Sequence, residues 1–251
     1  MPGWDDLSRE FEAWGSENRT VTLWWRDDDA VALTPALDKL LTISRNSGVP
    51  LALAVVPAAA EGALADFLDA RSNVYVLQHG YGHVNYAQPG DKASEYGPER
   101  DLESRLKELA QGFKLLSQFR QFLPVLVPPW NRIDKALLSI LPEIGLTGIS
   151  TFAPREPADS VSGLTCVNTH VDIINWRMGQ HFLGVPAVLE QFVKHLQARR
   201  RRTADPNEPT GLLTHHLVHD AQSWSFLDRF FQVTSAHPPT RWVEAQEIFG
   251  C

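Results

Sequence analysis

Three consecutive aspartates, Asp27, Asp28 and Asp29, follow the apolar stretch Leu23-Trp24-Trp25 and a single arginine, Arg26. Like charges side by side disfavour one another's ionisation, and a nearby cation removes that cost. The plain structural reading is a solvated acidic loop, or a cap on the next helix by Asp28 or Asp29. A second group is His79-Gly80-Tyr81-Gly82-His83. Two imidazoles four residues apart can hold one ion from a tight loop, and the glycines favour a loop over a helix interior. Two histidines and one carboxylate with open positions form a catalytic rather than a closed structural metal site. A third group is Thr214-His215-His216-Leu217-Val218-His219. Only one of these histidines need act as general acid or base, and His219 reads as structural. Trp130 and Trp176 fall in further polar clusters, where amphipathic rings can stack on a ligand or wall a pocket.

These groups share one feature of placement. Short Val- and Leu-rich runs at 21–26, 51–56, 74–78, 124–127, 146–151, 164–168 and 211–214 read as strands. They lack clean alternation, which suits buried parallel strands. Amphipathic stretches separate them. Thr34-Pro35 opens a helix that Gly48 ends, and others are expected over 4–14, 60–70, 98–119, 133–144, 186–200, 223–235 and 243–249. Leu102, Leu106, Leu109, Phe113 and Leu116 form an apolar stripe on the longest. The alternation predicts an α/β fold, a (β/α) barrel with about seven parallel strands. Asp27–Asp29, His79, the run Pro128-Pro129-Trp130-Asn131-Arg132, the set Asn168, His170 and Asp172, and His215 all follow strand runs. In a parallel barrel those strand ends share one face, where the active site lies.

The bulk properties agree with an ordinary globular chain. It has 251 residues, 43% hydrophobic and 21% charged. That length reads as one domain, 1–251, with an N-terminal helical extension over 1–20, and it can bury a core without staples. A net charge of −7 argues against a nucleic-acid partner. No apolar run reaches the roughly 20 residues of a membrane span. The first residues show no basic start followed by an apolar core, so the chain reads as cytoplasmic. Cys166 and Cys251 form no CxxC pair, and Cys166 reads as an inert buried thiol. The arginine-rich segment 199–209 reads as a mobile surface loop, its arginines favoured by the end of a helix.

Taken together, the motifs resemble the polysaccharide deacetylase family, the NodB-homology or carbohydrate esterase family 4 group. Arg26-Asp27-Asp28-Asp29-Ala30 is similar to its Asp-Asp strand end, and His79 to His83 to its His-x-x-x-His. Val127-Pro128-Pro129-Trp130 resembles its third motif, Asp172 and Trp176 its fourth, and Leu212-Leu213-Thr214-His215 its fifth. All five occur in family order over about residues 21–216. The resemblance implies a distorted, seven-stranded (β/α) barrel and metal-dependent hydrolysis of an N-acyl, typically N-acetyl, amide on a sugar or glycan. It implies Asp29, His79 and His83 as ligands of a divalent metal, Zn²⁺ first, with Co²⁺, Ni²⁺, Mn²⁺ or Fe²⁺ compatible. Asp28 would be the base, although a shift of one residue gives Asp27 and Asp28 as base and ligand. Ala30 in the small-residue slot favours the first register. His215 would be the acid, with His216 as alternative, and Asp172 would orient or tune it.

One position departs from the pattern. Where the family has an arginine that holds the catalytic aspartate, this chain has Val127. Arg26 or Arg132 could replace it. Trp130, Asn131, Tyr81 and Trp176 are the expected substrate contacts, for a small molecule or a glycan. The missing arginine keeps open a non-catalytic glycan- or metabolite-binding protein, and the scaffold leaves open a non-sugar C–N bond. A non-haem iron oxygenase shares the ligand set, but such sites commonly sit on antiparallel double sheets.

Overall fold

The computed structural model describes residues 3–156 and 161–250; Cys251 lies outside them. Strands β1 (Val21–Ala30), β2 (Leu51–Val55), β3 (Val74–His79), β4 (Phe122–Val127), β5 (Gly148–Ile149), β6 (Thr165–Cys166), β7 (Val171–Asp172), β8 (Ile174–Asn175), β9 (His181–Phe182), β10 (Thr210–Thr214) and β11 (Thr240–Trp242) alternate with helices. The helices are α1 (Trp4–Ser16), α2 (Pro35–Ser47), α3 (Gly62–Asp69), α4 (Leu102–Leu116), α5 (Val185–Arg200), α6 (Ala221–Ala236) and α7 (Ala245–Phe249).

The main sheet is wholly parallel, in the order β6-β5-β4-β3-β2-β1-β10-β7, with β11 beside the start of β1. The segment from Thr165 to Asp172 pairs first with β5 and then with β10. Val167 N donates to Ile149 O and His170 N to Gly211 O on the way. One short crossing segment thus bridges the two edges, and the sheet curls into a distorted (β/α) barrel. All seven expected strand runs occur. The strands not foreseen, β7 to β9 and β11, are two or three residues long, too short to carry a periodic signal.

Alternation along β1 sorts its side chains. Leu23 and Trp25 pack outward into the large core under the helices, with Leu37 of α2 and Phe231 of α6. Trp24 packs inward with Ala52, Ala54, Tyr75, Leu77, Val125 and Val127, and Phe249 of α7 joins this inner cluster. Helix α1 contributes Leu7, Phe11 and Trp14 to the outer core. Thr34 caps α2 by accepting from Leu37 N (3.0 Å), and Gly48 ends it in the left-handed region.

Several expectations are corrected. The span 133–144 holds two 3₁₀ turns, Lys135–Leu137 and Leu141–Ile144, rather than an α-helix. Pro142 lacks the N–H that a continuing helix needs. Helix α4 starts at Leu102, capped by Asp101, and Leu102 itself is exposed. The segment 199–209 is pinned. Arg199 and Glu208 are buried, Arg199 donates to Thr22 O (2.9 Å), and Arg200 pairs with Glu10 (2.7 Å). Cys166 is half-buried rather than enclosed. Among the described residues no helix is long and apolar enough to cross a membrane.

Candidate active site

The three aspartates separate because a strand turns successive side chains to opposite faces. Asp27 has the outward parity of Trp25. It accepts from Thr214 Oγ1 (2.6 Å) and His216 N (3.0 Å), and it pairs with His216 Nδ1 (2.5 Å). Both members of that pair are fully buried. The Asp27 carboxyl lies below its ordinary value: burial opposes this, and the His216 charge and hydrogen bond overcome it. Asp28 has the inward parity of Trp24 and Arg26. Arg26 donates from Nε to Asp28 Oδ1 (2.9 Å) and from Nη2 to Oδ2 (3.0 Å). Its remaining donors reach Ser150 Oγ (2.7 Å), the Ser150 and Thr151 carbonyls, and Asn131 Oδ1 (2.7 Å).

Alternation then breaks. The β1–β2 register shifts between Asp27 and Ala30, and Asp29 has φ of +73°. A left-handed non-glycine residue is uncommon, and strain of this kind gathers at functional sites. Here it turns Asp29 toward the loop after β3. Asp29 Oδ1 lies 3.0 Å from His79 Nε2 and 3.2 Å from His83 Nε2. Burial would raise the Asp29 carboxyl, but the two histidine hydrogen bonds hold it well below its ordinary value.

The donor set suits a divalent ion. One ligand atom from each of Asp29, His79 and His83 lies within 4.8 Å of the others. His79 Nδ1 is 2.9 Å from the Val127 carbonyl. A carbonyl only accepts, so Nδ1 carries a proton, and Nε2 faces Asp29 as a donor in the protonated ring and as a ligand atom in the neutral one. Val127, the departure from the family pattern, still acts here through its backbone.

The histidine loop is shaped by a residue that sequence reading missed. Buried Glu95 accepts from Tyr81 N (3.1 Å) and Gly82 N (2.8 Å). Gly80 has φ of +59°, and a Cβ there would collide with Glu95 Oε2 and Pro129. A lone glutamate in a polar loop gives no sequence signal of this role.

A cavity of about 870 Å³ opens over these groups. Asp28, Asp29, His79, His83, Trp130, Asn131, Asp172, Trp176 and His215 line it, as do Arg132, Phe152 and Arg177. Arg26 is buried beneath Asp28 and does not reach the cavity. Tyr81 is not among the residues lining the cavity; its N–H donates to Glu95 and its carbonyl accepts from Ala58 N. His216 is likewise withdrawn, bonded to Asp27, and Arg132 donates to Ala93 O (2.8 Å) rather than to Asp28. His219 packs edge-on against Trp224 (4.5 Å).

His215, also lining the cavity, is 8% exposed, and its Nδ1 has no hydrogen-bond partner among the described residues. The Trp176 ring meets it edge-on at 4.6 Å. Asp172 makes no hydrogen bond to His215. It accepts instead from Trp176 Nε1 (2.7 Å) and Ile174 N (2.9 Å). Asp172 is linked to His215 through the Trp176 indole rather than by a direct hydrogen bond. Burial raises the Asp172 carboxyl above its ordinary value.

Asn168 and His170 do not join the cavity. Asn168 Oδ1 accepts from Thr151 N (2.8 Å), and His170 stacks on His195 at 3.6 Å beside Glu208. Gly211 N donates to His170 Nδ1 (2.9 Å), so the ring proton sits on Nε2, 3.3 Å from Glu208 Oε2 but outside hydrogen-bond geometry. A protonated nitrogen cannot ligate a metal. This second His/His/Glu group is a buried structural set.

No family model matches the sequence, and no curated protein matches it. Solved structures do. A polysaccharide deacetylase structure from Mycobacterium smegmatis superposes with a TM-score of 0.65 at 16% identity, over 92% of this chain and 90% of that one. The chain has a NodB-like, carbohydrate esterase family 4 fold. A family 4 acetyl xylan esterase from Clostridium thermocellum, in complex with a cobalt ion, matches with a TM-score of 0.55 and 12% identity over 91% and 90%. A mutant of a family 4 pseudoenzyme matches with 0.57 and 15% over 92% and 68%. The NodB-like fold thus serves active and inactive proteins alike, and activity must be argued from the site.

Proposed function

We propose that this chain is a metal-dependent hydrolase of an N-acyl amide on a sugar or glycan, with Asp28 as base and His215 as acid. The observation that carries the reading is convergence. The Asp29, His79 and His83 donors, an arginine-clamped Asp28 and a free histidine line one cavity.

A divalent ion held by Asp29, His79 and His83, with Zn²⁺ the first choice, would supply carbonyl polarisation and acidify water. Asp28 accepts a proton as water adds to the acyl carbon. Arg26 fixes both Asp28 oxygens, so the carboxylate cannot rotate away from that task. His215 protonates the departing nitrogen as the C–N bond breaks, since an unprotonated amine leaves poorly. Trp176, held by Asp172, sets the His215 ring and walls the leaving-group side. Asn131 uses its side-chain oxygen on Arg26, which leaves its N–H donors for a ligand.

The Arg26 clamp also weighs against the non-catalytic reading, because Val127 no longer implies an unheld base. The test pairs metal analysis with turnover. Purified protein loaded with Zn²⁺ is expected to hold stoichiometric metal and to release acetate from N-acetyl amino sugars. His79→Ala/His83→Ala is expected to lose both. A metal-loaded wild type that binds such sugars without releasing acetate would select the binding-protein reading.

A further inference from the structure

The carboxylates lining the cavity are all accounted for. Asp28 belongs to Arg26, Asp29 to His79 and His83, and Asp172 to the Trp176 and Ile174 N–H groups. Two lining arginines have no carboxylate partner among the described residues. Arg132 donates only to the Ala93 carbonyl, and Arg177 makes no hydrogen bond or ion pair. Eight of the seventeen arginines pair with a carboxylate among the described residues. Arg132 and Arg177 are set apart because they line the cavity.

Position adds to the contrast. Arg132 follows the Trp130-Asn131 turn at one side of the cavity. Arg177 sits between β8 and β9, next to Trp176. Two guanidiniums without a carboxylate partner therefore border a cavity whose floor would also hold a divalent cation. In a chain of net charge −7, these two guanidiniums still have no carboxylate within ion-pair distance among the described residues. Guanidinium forks match the geometry of phosphate and carboxylate.

We propose that the substrate of this cavity carries an oxyanion substituent, phosphate or carboxylate, and that Arg132 and Arg177 receive it. The proposal rests on the N-acyl hydrolase reading and narrows its substrate class. Neutral glycans offer these arginines hydroxyl acceptors but no counter-charge. A small anionic N-acyl amino sugar satisfies both while presenting its amide to Asp28 and His215.

The test compares N-acetylglucosamine, N-acetylglucosamine phosphate and N-acetylmuramate as substrates of the metal-loaded protein. The anionic sugars are expected to exceed the neutral one in kcat/KM by about tenfold or more, a preference that falls with added salt. The better of the two names the oxyanion. Arg177→Gln is expected to erode the ratio through KM, and Arg177→Lys to keep part of it. Arg177 is exposed and unbonded, so this variant folds even if Arg132→Gln disturbs the Ala93 loop. Acetate release with equal kcat/KM for all three sugars, unmoved by Arg177→Gln, would overturn the proposal and leave the hydrolase reading standing. If no sugar is hydrolysed, the hydrolase reading falls, and calorimetric binding of the same sugars decides. A preference for N-acetylglucosamine phosphate that Arg177→Gln abolishes supports the proposal, and equal binding overturns it.

Discussion

Arg26 grips both oxygens of Asp28 from two residues upstream on the same strand, at 2.9 and 3.0 Å. A single β-strand therefore carries both the candidate base and the cation that holds it. Removing the arginine leaves a buried carboxylate unpaired. Arg26→Met is expected to lower stability by about 3–5 kcal/mol and turnover by at least about 10²-fold through misplacement of Asp28. Arg26→Lys should restore little, because one ammonium cannot reproduce the bidentate fork. Arg132→Met should leave the melting temperature nearly unchanged. Melting curves and acetate release on the three variants check this. Wild-type turnover in Arg26→Met would remove Arg26 from the mechanism.

The Asp27–His216 pair makes the opposite kind of prediction. Both groups are fully buried, and neither faces the cavity. Asp27→Asn is expected to cost about 3–5 kcal/mol of stability while metal binding persists in the folded fraction. Asp29→Asn should reverse the pattern, losing metal with a small change in melting temperature. Metal content measured beside thermal unfolding separates the two. Metal retained in Asp29→Asn but lost in Asp28→Asn would restore the one-residue shift, in which Asp27 is the base and Asp28 the ligand.

That register shows where the sequence stopped being legible. The barrel, the positions of its long strands and the caps of α2 could be read from periodicity and punctuation. The parity of β1 could not, because Trp24 and Trp25 are both apolar and neither marks which face looks inward. The left-handed turn at Asp29 breaks the alternation as well, and no residue type announces it. Glu95 and the Trp176–Asp172 contact were hidden for another reason. Both act across the fold, through a backbone cradle and an indole N–H, and neither has a spacing signature. Arg26 was nameable as a substitute for Val127, but only geometry separated it from Arg132.

The histidine loop depends on a close backbone approach. Gly80→Ala places a Cβ against Glu95 and Pro129 in a left-handed conformation. It is expected to shift the Tyr81–Gly82 amides off Glu95 and to weaken Zn²⁺ binding by about tenfold or more, the usual scale for losing a group that orients a ligand. Glu95→Gln keeps shape but removes the charge, and should weaken binding less. Competition against a chelating dye measures both. Unchanged affinity in Gly80→Ala would show that the loop tolerates rearrangement.

Acid sensitivity should come from imidazoles that do not line the cavity. Burial pushes His195 down to about 2 and His219 down to about 4, and burial also lowers His170. The groups around His195 include His170 and Arg199, which oppose its protonation, and the Glu208 carboxylate, and it hydrogen-bonds Thr210 Oγ1 (2.9 Å). The unfolded chain protonates these histidines near pH 6.5, whereas the folded chain refuses the proton. Their contribution is therefore full above about pH 6.5 and is lost as pH falls toward the folded values, by about 1.4 kcal/mol per pH unit for each histidine. His195→Gln cannot take up that proton in either state. Its stability should fall less steeply than the wild type's between pH 6.5 and pH 4.5, as read by urea unfolding at each pH. Parallel slopes in the two proteins would place the acid-sensitive groups elsewhere.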